Sequence, residues 1–322
     1  MKKYIGMALT VIVILSLSVL GIVLGNNNLT ELQLSTLKIL AIICGSSIAY
    51  CFIVGELARN NSQMDKLWSL LPIAYTWVIA GMGGFKPRLI VIAIIATLWG
   101  IRLTFNFARK GAYSIKFWEG EEDYRWSILR QNKIFQNKFV WGLFDLFFIS
   151  IYQNVLILAF TLPALAVMES TAAFGVFDYI AGILAFLFFI LELWSDAIQW
   201  RFHQKKKALL TGGKTLEEIE YPYCLGFNTL NIWGFMRHPN YLGEQGIWMS
   251  LYIFVIGAGV ATYGIFNWSI VGPLFLILLF LGSSTLGEQI SSSKYPMYKE
   301  YQRQVFKYLP IRRYKDPNHG EN

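Results

Sequence analysis

Eight apolar runs constrain this 322-residue chain more than any other feature. They lie at roughly 4–24, 37–57, 67–83, 88–108, 139–166, 174–200, 241–262 and 269–288. Each is close to the ~20 residues a helix needs to cross a bilayer. Backbone polar groups in lipid must be satisfied within the segment, and a helix does this. The expected fold is therefore an all-α, polytopic membrane helix bundle of about eight spans. The third run is the shortest and contains Pro72. The fifth is long and holds Asp145 and Pro163, so a tilt or kink is expected there. The first run follows Met1-Lys2-Lys3. It outlasts the ~7–15 apolar residues of a signal peptide and no A-x-A site follows, so a retained span is expected.

Composition narrows the class further. Charged residues make up 15% of the chain, against about 25% in soluble domains, which excludes a soluble globular protein. High apolar content and the lack of a recurring period exclude disorder and repeat folds. Cys44, Cys51 and Cys224 cannot build a disulfide framework. With no CxxC or HExxH and three His, no metal site is expected.

The net charge of +8 is distributed unevenly. With the N-terminus in the cytoplasm, 24 of the 28 Lys and Arg fall on cytoplasmic segments. The positive-inside rule then favours an even number of spans and both termini cytoplasmic. The same split explains the basic balance by topology and phosphate binding, without nucleic acid. The outer loops 25–36, 84–87, 167–173 and 263–268 are short and bland. The inner segments 109–138, 201–238 and 289–322 are long, charged and aromatic. Function is expected on the cytoplasmic side.

Ionisable residues within spans are costly and mark candidate sites. Arg102, Asn106 and Arg109 share one helical face of the fourth span. Glu192, Asp196 and Gln199 repeat that spacing on the sixth, and Asn240 and Glu244 open the seventh. These groups either line one polar cavity or pair only to hold helices together. The segment 109–130 is too polar to span. It is either a solvated surface helix or a cap in which Arg125 and Arg130 grip a phosphate and acids such as Asp123 orient them. Lys205, Lys206 and Lys207 suit acidic lipid or nucleotide phosphate. No GxxxxGK[ST], strand-borne GxGxxG or G-x-S-x-G occurs, so any nucleotide site lies between helices.

The strongest local motif is WGFMRHPNYLGE at 233–244. Arg237 and His238 bring charge, Pro239 suits a first helical turn, and Asn240, Tyr241 and Glu244 follow. This stretch resembles the C-terminal region of the membrane steroid 5-alpha-reductase family, and more loosely the isoprenylcysteine and phospholipid methyltransferases. NNSQMDKLW (60–68), EDYRW (122–126), ELWSDAIQWRF (192–202) and a tail with Tyr295, Pro296, Tyr298, Tyr301 and Arg303 resemble the bacterial branch of the reductases. The resemblance covers roughly residues 40–312.

It implies a helical enzyme that takes NADPH from the cytoplasm and reduces a carbon–carbon double bond conjugated to a ketone. Asn240 and Glu244 would contact the nicotinamide or its ribose. Asp196, Arg109 and Arg303 would hold ribose and phosphates. The candidate set for the cofactor is then Arg102, Asn106, Arg109, Asp123, Arg125, Asp196, Arg237, His238, Asn240, Tyr241, Glu244, Tyr298 and Arg303. A donor at the substrate carbonyl is sought among Glu56, Gln63, Asp65 and Tyr75; Asp65 could instead cap the third helix and pair with Lys66. The expected organisation is an N-terminal span and outer loop over 1–36, then a reductase-like domain over 37–322. The expected setting is a bacterial inner membrane, with a lipophilic substrate arriving from the bilayer. The motif leaves open an S-adenosylmethionine-dependent lipid or prenyl methyltransferase. A transporter or structural membrane protein stands as the third possibility.

Overall fold

A computed structural model describes residues 2–318, with side chains from residue 8 onward. The side chains of Met1, Lys2 and Lys3 and the last four residues of the tail lie outside the described residues. All eight apolar runs are helical. The helices are α1 (Lys2–Leu24), α2 (Glu31–Ala58), α3 (Gln63–Trp68), α4 (Leu71–Met82), α5 (Pro87–Ala108), α6 (Tyr124–Arg130), α7 (Lys138–Phe144), α8 (Gln153–Val167), α9 (Val176–Leu209), α10 (Pro239–Gly257), α11 (Val271–Lys294) and α12 (Tyr298–Gln304). No strand is formed among the described residues.

Five helical stretches are long and apolar enough to cross a membrane: Glu31–Ala58, Pro87–Ala108, Lys138–Val167, Val176–Leu209 and Trp268–Lys294. The third run breaks into α3 and the 12-residue α4, with Pro72 in the first turn of α4. Proline is accommodated there because first-turn N–H groups have no helical partner. In the fifth run the irregularity falls at Asp145, where Asp145–Tyr152 widens into a π-helix between α7 and α8. Pro163 lies inside α8. Helix α2 opens on a capping box, in which the Thr30 side chain accepts from the Gln33 N–H and Gln33 answers the Thr30 N–H.

The chain divides into two compact units. The first comprises Met1–Ala185 and Trp248–Leu276. Its core contains Tyr75, Ile79, Leu89, Ile92, Trp99, Phe160 and Trp248. Trp99 meets Trp248 edge-on at 5.0 Å, and Phe160 lies 4.3 Å from Trp248. The buried Arg88 guanidinium grips Asp178 through Nε at 2.6 Å and Nη2 at 2.8 Å.

The second unit comprises Phe186–Ile247 and Ile277–Asn322. Its core is aromatic: Phe227, Tyr298, Tyr301 and Tyr314 pack with Leu225 and Val305. Glycine decides how its helices meet. A Cβ on Gly243 would lie 2.6 Å from Glu192 Cβ and 2.9 Å from the Phe188 carbonyl oxygen. One on Gly246 would lie 2.3 Å from the Phe188 ring. Small residues allow this close approach of α10 to α9. Gly243→Ala is therefore expected to cost about 1–3 kcal/mol through overpacking. Lower yield of folded protein and a lower unfolding midpoint in detergent would be measured.

Candidate functional site

In the second unit, the approach of α9 and α10 sets the polar groups. Asn240 Nδ2 donates to Asp196 Oδ1 at 3.1 Å. Asn240 Oδ1 is buried and accepts no hydrogen bond among the described residues. Glu192 and Glu244 are buried. Gln199 Oε1 accepts from Asn228 Nδ2 at 2.9 Å, and Trp233 Nε1 donates to the Ser195 carbonyl at 3.0 Å. Two of the faces expected from spacing, on α9 and α10, thus meet at Asp196 and Asn240. Further along α9 the basic side chains Arg201 and Lys207 are exposed.

Arg237 and His238 join the loop before α10 to the tail. Arg237 Nε donates to Glu288 Oε1 at 2.7 Å, and its Nη1 donates to the carbonyls of Gln302 and Val305. His238 Nε2 lies 3.1 Å from the same Glu288 oxygen, and Gln302 Nε2 donates to the other at 2.9 Å. The backbone N–H groups of Arg237 and His238 donate to Phe306 and Lys307. These groups latch the tail to the loop before α10. Tyr241 stacks on His238 at 5.2 Å. Tyr298 belongs to the aromatic core, and Arg303 is exposed beside Glu300 of its own helix. Of the tail residues expected at a cofactor, Arg303 alone presents its side chain to the surface. Glu288 was not among the sequence candidates. Its signal was a carboxylate at the C-terminal end of an apolar run.

Burial favours neutral His238 and lowers its pKa below the ordinary value, although Glu288 works the other way. The unfolded chain then takes up this proton first. Stability contributed above about pH 6.5 is lost as the pH falls from there towards the lower folded value. The midpoint of thermal unfolding should fall between pH 7.5 and 5.5. His238→Gln, which keeps a donor for Glu288, should flatten that part of the profile.

In the first unit, two segments remote in sequence form one hydrogen-bonded cluster. Asn60 Nδ2 donates to the Gly120 carbonyl at 3.0 Å, and the Asn61 N–H donates to Glu122 Oε1 at 2.8 Å. Ser62 Oγ donates to Asp65 Oδ2 at 2.7 Å and accepts from the Asp123 N–H at 2.9 Å. Trp126 Nε1 donates to Asp65 Oδ2 at 2.9 Å. Arg125 binds Asp123 through Nε at 2.7 Å and reaches Asp65 at 3.5 Å. Arg130 pairs with Glu122.

Asp65 does not pair with Lys66. The Lys66 ammonium is spent on the carbonyls of Phe117 and Glu119, at 2.9 and 2.7 Å. Gln63 is equally committed: its Oε1 accepts from Tyr50 and its Nε2 donates to the Trp118 carbonyl. Burial pushes the Asp65 carboxyl up against the opposing Arg125 charge. Burial also acts on Asp123, but there the Arg125 charge and hydrogen bonds win and hold the carboxylate below its usual range. Glu56 is exposed near the end of α2, and Asp145 is buried at the start of the π-helix, where its Oδ1 accepts from the Ser150 hydroxyl at 3.2 Å. Tyr75 is fully buried on α4 beside Cys44. The four donor candidates therefore occupy three settings. On α5, Arg102 is buried and Arg109 donates to Asn106 Oδ1. Among the described residues no cluster of His, Cys, Asp or Glu is arranged to hold a metal.

The fold and these sites define a helical protein with several helices suited to a membrane. Residues 51–305 match the family described as "Protein of unknown function (DUF1295)", and the chain belongs to that family. An uncharacterised protein of Schizosaccharomyces pombe is 35% identical over 261 residues, covering 78% of this chain and 73% of the relative. No solved structure matches the chain.

Proposed function

We propose that this chain is an integral membrane reductase that uses NADPH to reduce a carbon–carbon double bond conjugated to a ketone in a lipophilic substrate. The observation that carries the reading is the Asp196–Asn240 pair, with Asn240 Oδ1 buried and accepting no hydrogen bond. A buried carbonyl oxygen of this kind calls for a donor. A nicotinamide carboxamide or a ribose hydroxyl supplies one, so these residues fit the cofactor. The relation of the family to the steroid 5-alpha-reductases supports the same reading.

Asn240, Asp196 and Glu244 would hold the nicotinamide riboside half. Arg303, Arg201 and Lys207 carry exposed positive charge suited to phosphates. Arg102, Asn106 and Arg109 remain candidates on their charge and hydrogen-bonding capacity. NADPH, when bound, supplies the hydride. The chain's own tasks are to orient both molecules and to place a proton donor at the ketone oxygen, where negative charge develops. Among the donor candidates, Asp65 has its pKa raised by burial, against the Arg125 charge and the donors Ser62 and Trp126. The Arg237–Glu288–His238 latch fixes the loop that leads into α10 and Asn240. Sidedness follows from the charge distribution: Lys and Arg concentrate on the segments assigned to the cytoplasm.

Thermal unfolding of the detergent-purified protein with NADPH, NADH or S-adenosylmethionine tests the cofactor. A ligand at about 100 times its Kd adds ~2.7 kcal/mol to the folded state. A rise of several degrees with NADPH, exceeding that with NADH, is expected. A rise with S-adenosylmethionine alone would favour a methyltransferase, and no rise with any of the three would remove the reductase reading.

A further inference from the structure

At the N-terminal end of α2 the first unit contains a cavity of about 530 Å³ that the reductase reading does not use. Helix α2 has 28 residues, which places this cavity roughly 40 Å from the helix end that carries Glu56. Asn26, Asn28, Gln33 and Asn267 bring four amide groups to its wall, beside the Glu169 carboxylate, the Trp268 indole and three hydroxyl side chains. Glu169 accepts from the Thr30 hydroxyl and has no ion pair among the described residues. On the rim, Lys86 Nζ donates to the carbonyl of Ser170 at 3.2 Å, and Ser170 itself lines the cavity.

The lining is rich in acceptors. The amide oxygens of Asn26, Gln33 and Asn267 each take one backbone N–H, from Asn28, Thr30 and Ser269. Each keeps a second lone pair. A partly buried carboxylate without a cation, ringed by amide oxygens, suits a primary ammonium, which has three donors and no acceptor. A quaternary ammonium has no N–H to offer and is recognised by aromatic cages. Here the lining contains one aromatic residue, Trp268. The Lys86 ammonium at the rim adds a positive charge suited to a phosphate next to that ammonium.

We propose that this cavity binds an ethanolamine-phosphate group, with Glu169 taking the ammonium and Lys86 facing the phosphate. The group is either the headgroup of an ethanolamine phospholipid at that end of the helices or free phosphoethanolamine. The site is independent of the proposed cofactor site and stands or falls separately.

Native mass spectrometry and thermal unfolding of the detergent-purified protein test the proposal. The probes are short-chain phosphatidylethanolamine, phosphatidylcholine, phosphatidylglycerol and free phosphoethanolamine. Phosphatidylethanolamine should stay bound and raise the midpoint by several degrees, at least tenfold more tightly than phosphatidylcholine. A matching response to free phosphoethanolamine would identify the soluble source, and a response to the lipid alone the membrane source. Glu169→Gln retains an acceptor for Thr30, so the lipid-free midpoint should hold while the preference for ethanolamine is lost. Asn28→Ala, at an exposed loop position, should weaken the preference without unfolding the protein. Equal binding of the ethanolamine and choline lipids would overturn the proposal. So would a preference that survives both substitutions.

Discussion

Glu288→Ala is expected to destabilise the protein by about 3–5 kcal/mol, the usual cost of removing one partner from a buried ion pair. Glu288 has 1% of its side chain exposed and Arg237 has 8%. Removing the carboxylate leaves the guanidinium buried against the backbone carbonyls of Gln302 and Val305. His238 and Gln302 lose the same acceptor. The midpoint of thermal unfolding should fall by many degrees, and limited proteolysis should release the tail near Val305. Glu300→Ala is the control. That carboxylate pairs with Arg303 at the surface, and no measurable change is expected. A Glu288→Ala protein with an unchanged midpoint and an intact tail would mean that the latch is not closed in solution.

Glu244→Ala should abolish turnover while the protein still inserts and folds. Glu244 is buried one helical turn after Asn240. In the proposed role its carboxylate bonds the nicotinamide riboside half of the cofactor. Loss of a hydrogen bond to a charged group costs about 1.5–3 kcal/mol, so NADPH affinity should fall roughly ten- to hundredfold. Titration of NADPH against the unfolding midpoint would report the affinity, and the midpoint without cofactor would report folding. Full activity in this variant would remove Glu244 from the site.

The helical architecture was legible because lipid leaves few solutions for an apolar run, and every run from 4–24 to 269–288 is helical in the structure. Helix length was less legible. Ser69 and Leu70 interrupt the third run, and nothing in an apolar pattern marks that break. The polar faces that carry Asp196 and Asn240 were legible from helical spacing, and the structure brings the two residues together. The contacts that spacing does not reveal share a cause. Arg237 reads as a ligand-binding cation in a motif, but its partner Glu288 lies 51 positions away. Asp65 reads as a cap or a neighbour of Lys66, but its partners Arg125 and Trp126 come from a distant loop. Sequence spacing exposes contacts within a helix and conceals those between segments. A charged residue's choice between ligand and structural partner is made by the second kind.

The central claim is cofactor-dependent reduction of a conjugated double bond. Its most direct test incubates the purified protein in lipid nanodiscs with NADPH deuterated at C4 of the nicotinamide and a panel of lipophilic enones, 4-ene-3-ketosteroids included. Products are read by mass spectrometry. The account predicts a saturated ketone carrying one deuterium at the former β-carbon, formed with NADPH and lost in the Glu244→Ala protein. Unreduced enones throughout, from a folded protein whose unfolding midpoint NADPH does not move, would contradict it.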